Sequence, residues 1–295
     1  MMSRQSGVSC TTPAGILSCH QYRLIPDRIY TFVTGTVPCR VRIRFITCPD
    51  PHKVRKQYQR DGMSGNALLV IEGLWWTPEQ KPKRPSVLSF LEGLESYRGD
   101  FNIYYANFYE KEGFRRALED DLTNTREDRL FLYVAAHGTG KRIGGLKART
   151  GMKLPAMFKA VKDAANYSNI EGVLIGSCSV GNNIDDFTST TKNSSLAWIF
   201  GYTCEIGWMV STLIDVSIFE HLMKLKKTDL KDRKKIVNAF VKALRRFDGN
   251  YPLCKGKGKN ILLKDAITLV VQPRGPKEKA GDETAALLAK LKWSE

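Results

Sequence analysis

Short apolar segments alternate with segments of helical periodicity through the middle of the chain, and this alternation limits the possible folds. The apolar segments are short and bounded by turn-forming or polar residues: ALLVIEG (67–73), FNIYYANF (101–108), RLFLYVAA (129–136) and GVLI (172–175). Runs this short and this apolar are typical of strands buried on both faces. The sequence therefore predicts right-handed βαβ units in an α/β fold, with an open, mainly parallel sheet flanked by helices.

The other predicted elements continue this alternation. They are a helix from Ser86 to the stop at Gly99, a helix with Phe114 and Leu118 on its buried face, a helix over 155–165, a strand over 197–202, a helix from about 206, a helix over 231–247 and a strand over 261–271. We predict a main domain over 66–273, preceded by an appendage over 1–65 with little helical periodicity. Residues 274–295 are predicted to be a tail with a short helix. A length of 295 residues with 42% hydrophobic content is sufficient for one large core.

Two of the predicted strands end in reactive side chains. His137 and Gly138 follow the strand over 129–136, and Cys178 follows the strand over 172–175 after Gly176 and Ser177. Neighbouring parallel strands lie about 4.8 Å apart, so side chains at their carboxyl ends converge on one crevice. A lone cysteine beside a strand is usually a small apolar residue, but both motifs on consecutive core strands favour a catalytic His137–Cys178 pair.

The chemistry of such a pair is nucleophilic attack. The imidazole accepts the thiol proton, and the thiolate attacks a carbonyl carbon to form an acyl intermediate that water releases. We expect the backbone N–H groups of Gly138 and Cys178 to form the oxyanion hole, and neither a metal nor a cofactor is required. Asp185 and Asp186 follow the nucleophile loop and are predicted to line a pocket for a substrate Lys or Arg, the alternative being two solvated acids.

In order and context, these motifs resemble those of the caspase-like cysteine peptidases of the caspase–hemoglobinase fold, which include metacaspases, separases and bacterial caspase-like and CHAT peptidases. In that family His-Gly follows the third core strand and Cys the fourth. Here the two lie 41 residues apart, near the caspase separation of about 50. The segment over 199–222 is also similar to the strand and helix after the cysteine in CHAT peptidases, so the resemblance covers about 67–271. GSCSVG replaces the Gln-Ala-Cys-x-Gly of animal caspases, so their specificity for aspartate does not transfer.

The resemblance implies a cysteine endopeptidase that makes a limited cut in a specific protein substrate. Several bacterial relatives act in stress or antiviral defence, and a gasdermin-like pore-former is one candidate substrate. No sensor domain is recognisable in the sequence, so we expect a sensor or activator to be supplied in trans.

Two other functions remain open. A catalytically inactive caspase-like scaffold or basic binding protein would use the same fold without the thiol. A small-ester α/β-hydrolase would use Cys178, Asp215 and His221 in that order. Against the hydrolase, Val180 stands where its motif requires glycine, and Asp215 and His221 fall six residues apart on one predicted helix, facing different directions.

The formal net charge of +16 favours acidic partners. No nucleic-acid-binding module is recognisable, so we predict no specific nucleic-acid binding and no membrane contact. The basic residues concentrate late in the chain with few neighbouring acids, at Lys224, Lys226, Lys227, Lys231, Arg233, Lys234, Lys235, Arg245, Arg246, Lys255, Lys257 and Lys259. Such a basic run is usually a solvated face, and nonspecific contact with phosphate or anionic lipid is the alternative.

The cysteines predict a reduced, cytoplasmic protein. Seven are too few for a disulfide scaffold and odd in number, and residues 1–20 lack an apolar secretory segment. Cys204 and His221 are interpreted as structural. A zinc site is the alternative to scattered thiols in the appendage, and the irregular spacing favours scattered thiols for the residues Cys19, His20, Cys39, Cys48 and His52.

The longest apolar stretch covers 196–219 but contains Glu205 and Asp215. A central acid costs about 2.5–3.5 kcal/mol in membrane insertion, which favours a buried strand followed by a core helix over a membrane span.

Overall fold

The computed structural model describes residues 30–34, 37–41, 65–76, 86–145, 151–192, 194–256, 259–275 and 277–293. The chain divides into two units, Met1–Asp50 and Pro51–Glu295. In the first unit, the described residues form an antiparallel hairpin of strands β1 (Tyr30–Thr34) and β2 (Val37–Val41). The predicted boundaries at 65 and 273 remain predictions. Of the candidate zinc ligands, Cys39 lies in β2 and the others lie outside the described residues.

The second unit is built on a seven-stranded sheet within the described residues. Across the sheet the strands run in the order β13, β12, β9, β8, β5, β3, β4. Their bounds are β3 (Asn66–Gly73), β4 (Phe101–Phe108), β5 (Arg129–Ala135), β8 (Ile170–Gly176), β9 (Trp198–Tyr202), β12 (Ile267–Val271) and β13 (Gly281–Asp282). Two small antiparallel pairs lie outside it, β6 (Arg142–Gly144) with β7 (Gly151–Lys153) and β10 (Pro252–Gly256) with β11 (Lys259–Leu262).

Five neighbouring strands pair in parallel, in the spatial order β4, β3, β5, β8, β9. Strand β12 pairs antiparallel with β9, and β13 pairs antiparallel with β12. This confirms the predicted α/β class with a mainly parallel sheet. The single strand predicted over 261–271 is wrong in its extent, because a 3₁₀ turn over Leu263–Asp265 separates β11 from β12. Apolar composition alone does not show such a turn, since Leu263 is itself buried.

Helices cover both faces of the sheet. They are α1 (Leu88–Arg98), α2 (Lys111–Arg116), α3 (Leu154–Tyr167), α4 (Ile184–Thr191), α5 (Trp208–Leu222), α6 (Arg233–Leu244) and α7 (Thr284–Leu291). Gly99 ends α1 with a left-handed φ of 66°, as its position predicts. Asp232 caps α6 by accepting the backbone N–H of Lys234 at 2.8 Å.

The strands alternate their side chains between two cores. Leu68 and Val70 of β3 contribute to one core, which packs against α1, α5, α6 and α7. Leu69 and Ile71 contribute to the other, which packs against α3 and the π-helical turn after α2. Because both faces are covered, the central strands are apolar at nearly every position. This is the physical reason that they appear in the sequence as continuous apolar runs.

The long apolar stretch over 196–219 is divided as the sequence predicts, into strand β9 and most of helix α5. Within the described residues, no helix is both long enough and apolar enough to cross a membrane.

Asp215 of α5 is fully buried in the core beneath the sheet edge. Its carboxylate accepts hydrogen bonds from the hydroxyls of Tyr133 and Tyr202, each at 2.6 Å. Burial raises the pKa of Asp215 to about 7, and the two tyrosine hydrogen bonds offset part of that rise. The carboxyl lies against Gly176, where an added methyl group would stand 2.9 Å from Oδ2. The cluster therefore supports the strand end that leads to Cys178.

Replacing Asp215 with asparagine is expected to make stability less dependent on pH. The folded pKa of about 7 lies above the ordinary value of 3.8, so folding holds this proton more tightly. The stabilisation is complete at low pH and is lost as the pH rises from about 4 to about 7. Relative to wild type, Asp215→Asn should gain about 2–3 kcal/mol between about pH 5 and pH 8. Urea unfolding across that range measures this, and a constant difference between the two proteins would contradict it.

Candidate active site

His137 and Cys178 lie at the same edge of the sheet. Strands β5 and β8 are parallel neighbours, and Ala135 of β5 is opposite Gly176 of β8. His137 and Cys178 are each two residues beyond this last pair. The structure thus places the two predicted residues at the carboxyl ends of adjacent central strands, which is the arrangement that the sequence predicted.

The two turns that carry these residues pack backbone against backbone. A methyl group added at Gly138 would clash with the carbonyl oxygen of Cys178 and would stand 3.0 Å from its backbone nitrogen. The His137 turn is held by a hydrogen bond from the Gly144 N–H to the His137 carbonyl at 2.9 Å. Position 138 therefore requires glycine because the two backbones approach closely. Backbone conformation is not the reason, since the φ of Gly138 is not in the left-handed region.

The loop after Cys178 is anchored on its other side. Ser179 adopts a left-handed φ of 60°, and its N–H donates to the Cys204 carbonyl at 2.9 Å. The Asn183 side-chain amide donates to the Gly140 carbonyl at 3.1 Å, which joins this loop to the histidine loop. Cys204 forms a disulfide with Cys254, with the two Cα atoms 6.6 Å apart. This differs from the prediction that the cysteines are unpaired, because the partners are 50 residues apart in sequence and meet only in the fold.

The His137 ring is oriented by a backbone group. Its Nε2 lies 2.5 Å from the carbonyl oxygen of Trp75, in the loop after β3. A carbonyl oxygen can only accept, so Nε2 carries a proton, and in the neutral form of the ring Nδ1 is then the acceptor. The Trp75 ring also contacts the imidazole edge-on, with ring centroids 5.5 Å apart.

The Cys178 thiol is half-buried and is the free thiol among the described cysteine side chains. Its sulfur lies 4.0 Å from the Ile206 carbonyl oxygen. Burial raises the pKa of this thiol and Glu205 raises it further, while backbone groups of Ile206, Gly138 and Cys178 lower it. Within the described structure, no hydrogen bond joins the thiol to His137. Catalytic hydrogen bonds are often long before substrate binds, so this geometry is compatible with a catalytic pair.

An aromatic cluster, Trp75, Trp76, Phe90 and Trp208, lies beside the pair. Trp208 connects its members, with centroids 5.5 Å from Trp76 and 5.7 Å from Phe90. Trp208 begins α5 two residues after Ile206, so the cluster reaches from the histidine side to the cysteine side. Sequence reasoning missed this cluster, although the pair Trp75-Trp76 directly after the first strand was a visible signal.

The two predicted pocket acids begin helix α4. Asp185 is exposed. Asp186 lines a groove of about 360 Å³ together with Gly140, Asn183 and the basic residues Lys141, Arg142 and Lys153. Among the described residues that line this groove, neither His137 nor Cys178 occurs. The role of Asp185 and Asp186 as a specificity pocket remains a prediction.

The residues of the alternative hydrolase do not form a triad in the described structure. Asp215 is buried between two tyrosines, as given above, and supports no histidine. His221 lies near the end of α5, where its Nδ1 is 2.9 Å from the Ser217 carbonyl. Both side chains have structural partners, as expected for His221.

The basic run is partly neutralised by acids, one of them a helical neighbour four residues away and others distant in sequence. Glu220 pairs with Lys224 at 2.9 Å and with Arg246 at 2.7 Å. Lys227 pairs with Asp128 at 2.7 Å, and Arg233 pairs with Glu283 at 2.7 Å. The prediction that these charges are scarcely offset is therefore wrong for this part of the run. The pairs of Arg246, Lys227 and Arg233 are tertiary and could not be seen along the chain, whereas Glu220 and Lys224 are four residues apart on one helix.

No protein-family model and no curated protein matches the chain. Several solved structures resemble it, among them two from one bacterium. One is a secreted C11 cysteine protease from Bacteroides thetaiotaomicron, "iotapain", at 13% identity and a TM-score of 0.47, over 70% of this chain and 66% of that one. The other is described as a secreted C11 cysteine protease from the same bacterium in complex with an irreversible peptide inhibitor, at 10% identity and a TM-score of 0.45, with the same coverage of 70% and 66%.

The chain thus spans just under two thirds of the length of the structures it resembles. These values describe a partial likeness and do not carry residue roles from one chain to the other. The mixed, mainly parallel sheet with flanking helices is of the α/β class.

Proposed function

We propose that this protein is a cysteine-type endopeptidase in which Cys178 is the nucleophile and His137 is the general base and acid. One observation carries the proposal. The turn of His137 and the turn of Cys178 leave adjacent parallel strands and pack so closely that only glycine fits at position 138. A histidine and a free thiol are thereby held at one edge of the sheet.

The first step is removal of the thiol proton. Because burial raises the pKa of Cys178, the thiol is mostly protonated at neutral pH and needs a base. His137 accepts the proton at Nδ1 while its Nε2–H remains on the Trp75 carbonyl. The sulfur then attacks the peptide carbonyl carbon, and the carbonyl oxygen becomes negatively charged.

The backbone N–H groups of Gly138 and Cys178 stabilise that oxyanion in our proposal. Backbone groups of both residues lower the pKa of the Cys178 thiol, which supports their nearness to the sulfur. One such donor is worth about 10²–10³ in rate. His137 then donates its proton to the leaving amine, and water hydrolyses the acyl-enzyme.

The substrate is proposed to be a specific protein, with a gasdermin-like pore-former as the candidate and a cytoplasmic role in defence or stress as the setting. The family resemblance supports this part, together with an activator or sensor acting in trans. Asp185 and Asp186 are proposed to favour a basic residue before the cut, because both acids follow the nucleophile loop.

A non-catalytic scaffold is the second candidate. It is favoured by one observation, the lack of a hydrogen bond between His137 and Cys178 in the described structure. On this alternative the thiol is an inert structural residue, and anionic partners bind the remaining basic surface with strong salt dependence.

The test combines a thiol-directed probe with a diverse peptide library. The full chain is treated with a peptidyl acyloxymethyl ketone and the labelled residue is identified by mass spectrometry, with Cys178→Ala as the control. Peptide cut sites then report the preferred residue, and Asp186→Ala shows whether that preference needs the acid. We expect labelling at Cys178 and cleavage after Lys or Arg. A protein that neither reacts with the probe nor cuts a peptide supports the scaffold or an enzyme that awaits its activator.

A further inference from the structure

A buried carboxylate lies one strand away from His137. Glu72 is in β3, opposite Ala135 of β5, two residues before His137. It is only 2% exposed. A buried carboxylate is strongly destabilising unless its oxygens are hydrogen-bonded, so the partners of Glu72 are informative.

Four donors converge on this carboxylate. Oε1 accepts the Trp75 indole N–H at 2.6 Å and the Val87 backbone N–H at 2.9 Å. Oε2 accepts the Tyr105 hydroxyl at 2.7 Å and the Ser86 hydroxyl. Burial, with a further contribution from Glu72, raises the pKa of Tyr105 to about 12, so this hydroxyl stays a donor at neutral pH. Glu72 is thus held as a fixed acceptor.

Trp75 connects Glu72 to the candidate base. Its indole N–H donates to Glu72, and its own backbone carbonyl accepts the Nε2–H of His137 at 2.5 Å. The position of that carbonyl depends on the conformation of the short turn over 73–75. The hydrogen bond between Glu72 and the Trp75 side chain, three residues apart, closes this turn.

We propose that Glu72 is a positioning residue for His137: by closing the Trp75 turn it fixes the imidazole with the proton on Nε2 and Nδ1 free to accept. The catalytic consequence rests on the proposed peptidase function. The fixed tautomer does not, because it follows from the hydrogen bonds alone. Outer partners that orient a functional histidine typically contribute about 10–100-fold to activity or affinity.

The test reads the tautomer directly by ¹⁵N NMR of the histidine-labelled full chain, which contains four histidines. His137→Ala assigns the signal. Wild type should show the Nε2–H form, while Glu72→Ala and Trp75→Phe should show mixed tautomers. Trp75→Phe removes the indole N–H but keeps the carbonyl. Glu72→Gln should largely restore the wild-type signal, because its amide oxygen can still accept from Trp75 and Val87.

Tyr105→Phe is the matched control, since it removes one donor to Glu72 and leaves the Trp75 hydrogen bond in place. It should retain the wild-type tautomer. In peptide cleavage, Glu72→Ala and Trp75→Phe should each lower kcat by about 10–100-fold with little change in KM. Their double variant should lose no more than either alone, because both act through one hydrogen bond.

The two arms separate the possible failures. A wild-type Nε2–H signal that persists in folded Trp75→Phe and in Glu72→Ala overturns the positioning role, whether or not the protein cleaves peptides. If Glu72→Ala does not fold by circular dichroism, Trp75→Phe and Glu72→Gln decide. Mixed tautomers in the variants of a protein without any thiol-dependent activity would support the positioning of His137 and reject the peptidase.

Discussion

Replacing Cys178 with alanine is expected to reduce peptide cleavage to background. The side chain removed is the free thiol at the carboxyl edge of β8, and no other described thiol is available, since Cys204 and Cys254 are paired. Loss of a nucleophile that acts together with its base costs on the order of 10⁶ in kcat in serine peptidases. The fold should be retained, because the half-buried side chain loses only its sulfur. Steady-state cleavage of the best library peptide measures the effect.

His137→Ala should give a loss of at least about 10²–10⁴-fold, the range for general acid–base catalysis. The double variant should be no worse than Cys178→Ala alone, because the two residues act as a unit. His221→Ala is the matched control, since that ring lies on α5 with its Nδ1 on the Ser217 carbonyl. Equal losses for His137→Ala and His221→Ala, or cleavage that survives Cys178→Ala, would show that a different site cuts the peptide.

The central strands and the place of the two candidate residues were predictable from sequence. Each strand is buried on both faces, so it appears as an apolar run, and a reactive side chain just past such a run must lie at the sheet edge. For example, β5 over Arg129–Ala135 is buried at every position but the first and begins at the predicted residue. Adjacency of the His137 and Cys178 strands was an inference from their order in the chain, and the register of Ala135 with Gly176 confirms it.

The supporting groups could not be predicted in the same way. Glu72 is one polar residue at the end of an apolar strand. Its proposed role in positioning His137 depends on hydrogen-bond donors that come together only in the fold, namely Trp75, Ser86, Val87 and Tyr105. Hydrogen bonds that join distant segments leave no periodic signal. The ion pair between Glu220 and Arg246 and the Cys204–Cys254 disulfide were missed for the same reason.

Asp215 is the opposite case, a candidate site residue in the sequence that has a structural role in the fold. Its position in the chain suggested a catalytic acid in an α/β-hydrolase, and only the structure places its carboxyl between Tyr133 and Tyr202. A buried acid with a pKa near 7 is often a sign of a functional site. Here the side chain is inaccessible and supports the strand end beside Gly176, so a perturbed pKa has a structural explanation.

Gly138→Ala should be the most damaging conservative substitution in the site. The added methyl would overlap the Cys178 carbonyl oxygen and approach Ser177 Cβ to 3.2 Å. Both Cys178 contacts are backbone atoms, so the clash is relieved only by separating the two turns. That movement displaces an oxyanion donor and changes the distance between His137 and Cys178. We expect kcat/KM to fall by about 10²–10³-fold, as when one oxyanion donor is lost.

The same substitution should lower the free energy of unfolding by about 1–3 kcal/mol, the usual cost of overpacking. Gly93→Ala is the matched control, because its methyl would meet nothing within 4 Å on helix α1. It should leave cleavage unchanged and stabilise the helix by about 0.5–1 kcal/mol. Folded Gly138→Ala with full activity and an unchanged rate of probe labelling would show that the two turns need not touch. The backbone packing that carries the proposed peptidase function would then have no catalytic meaning.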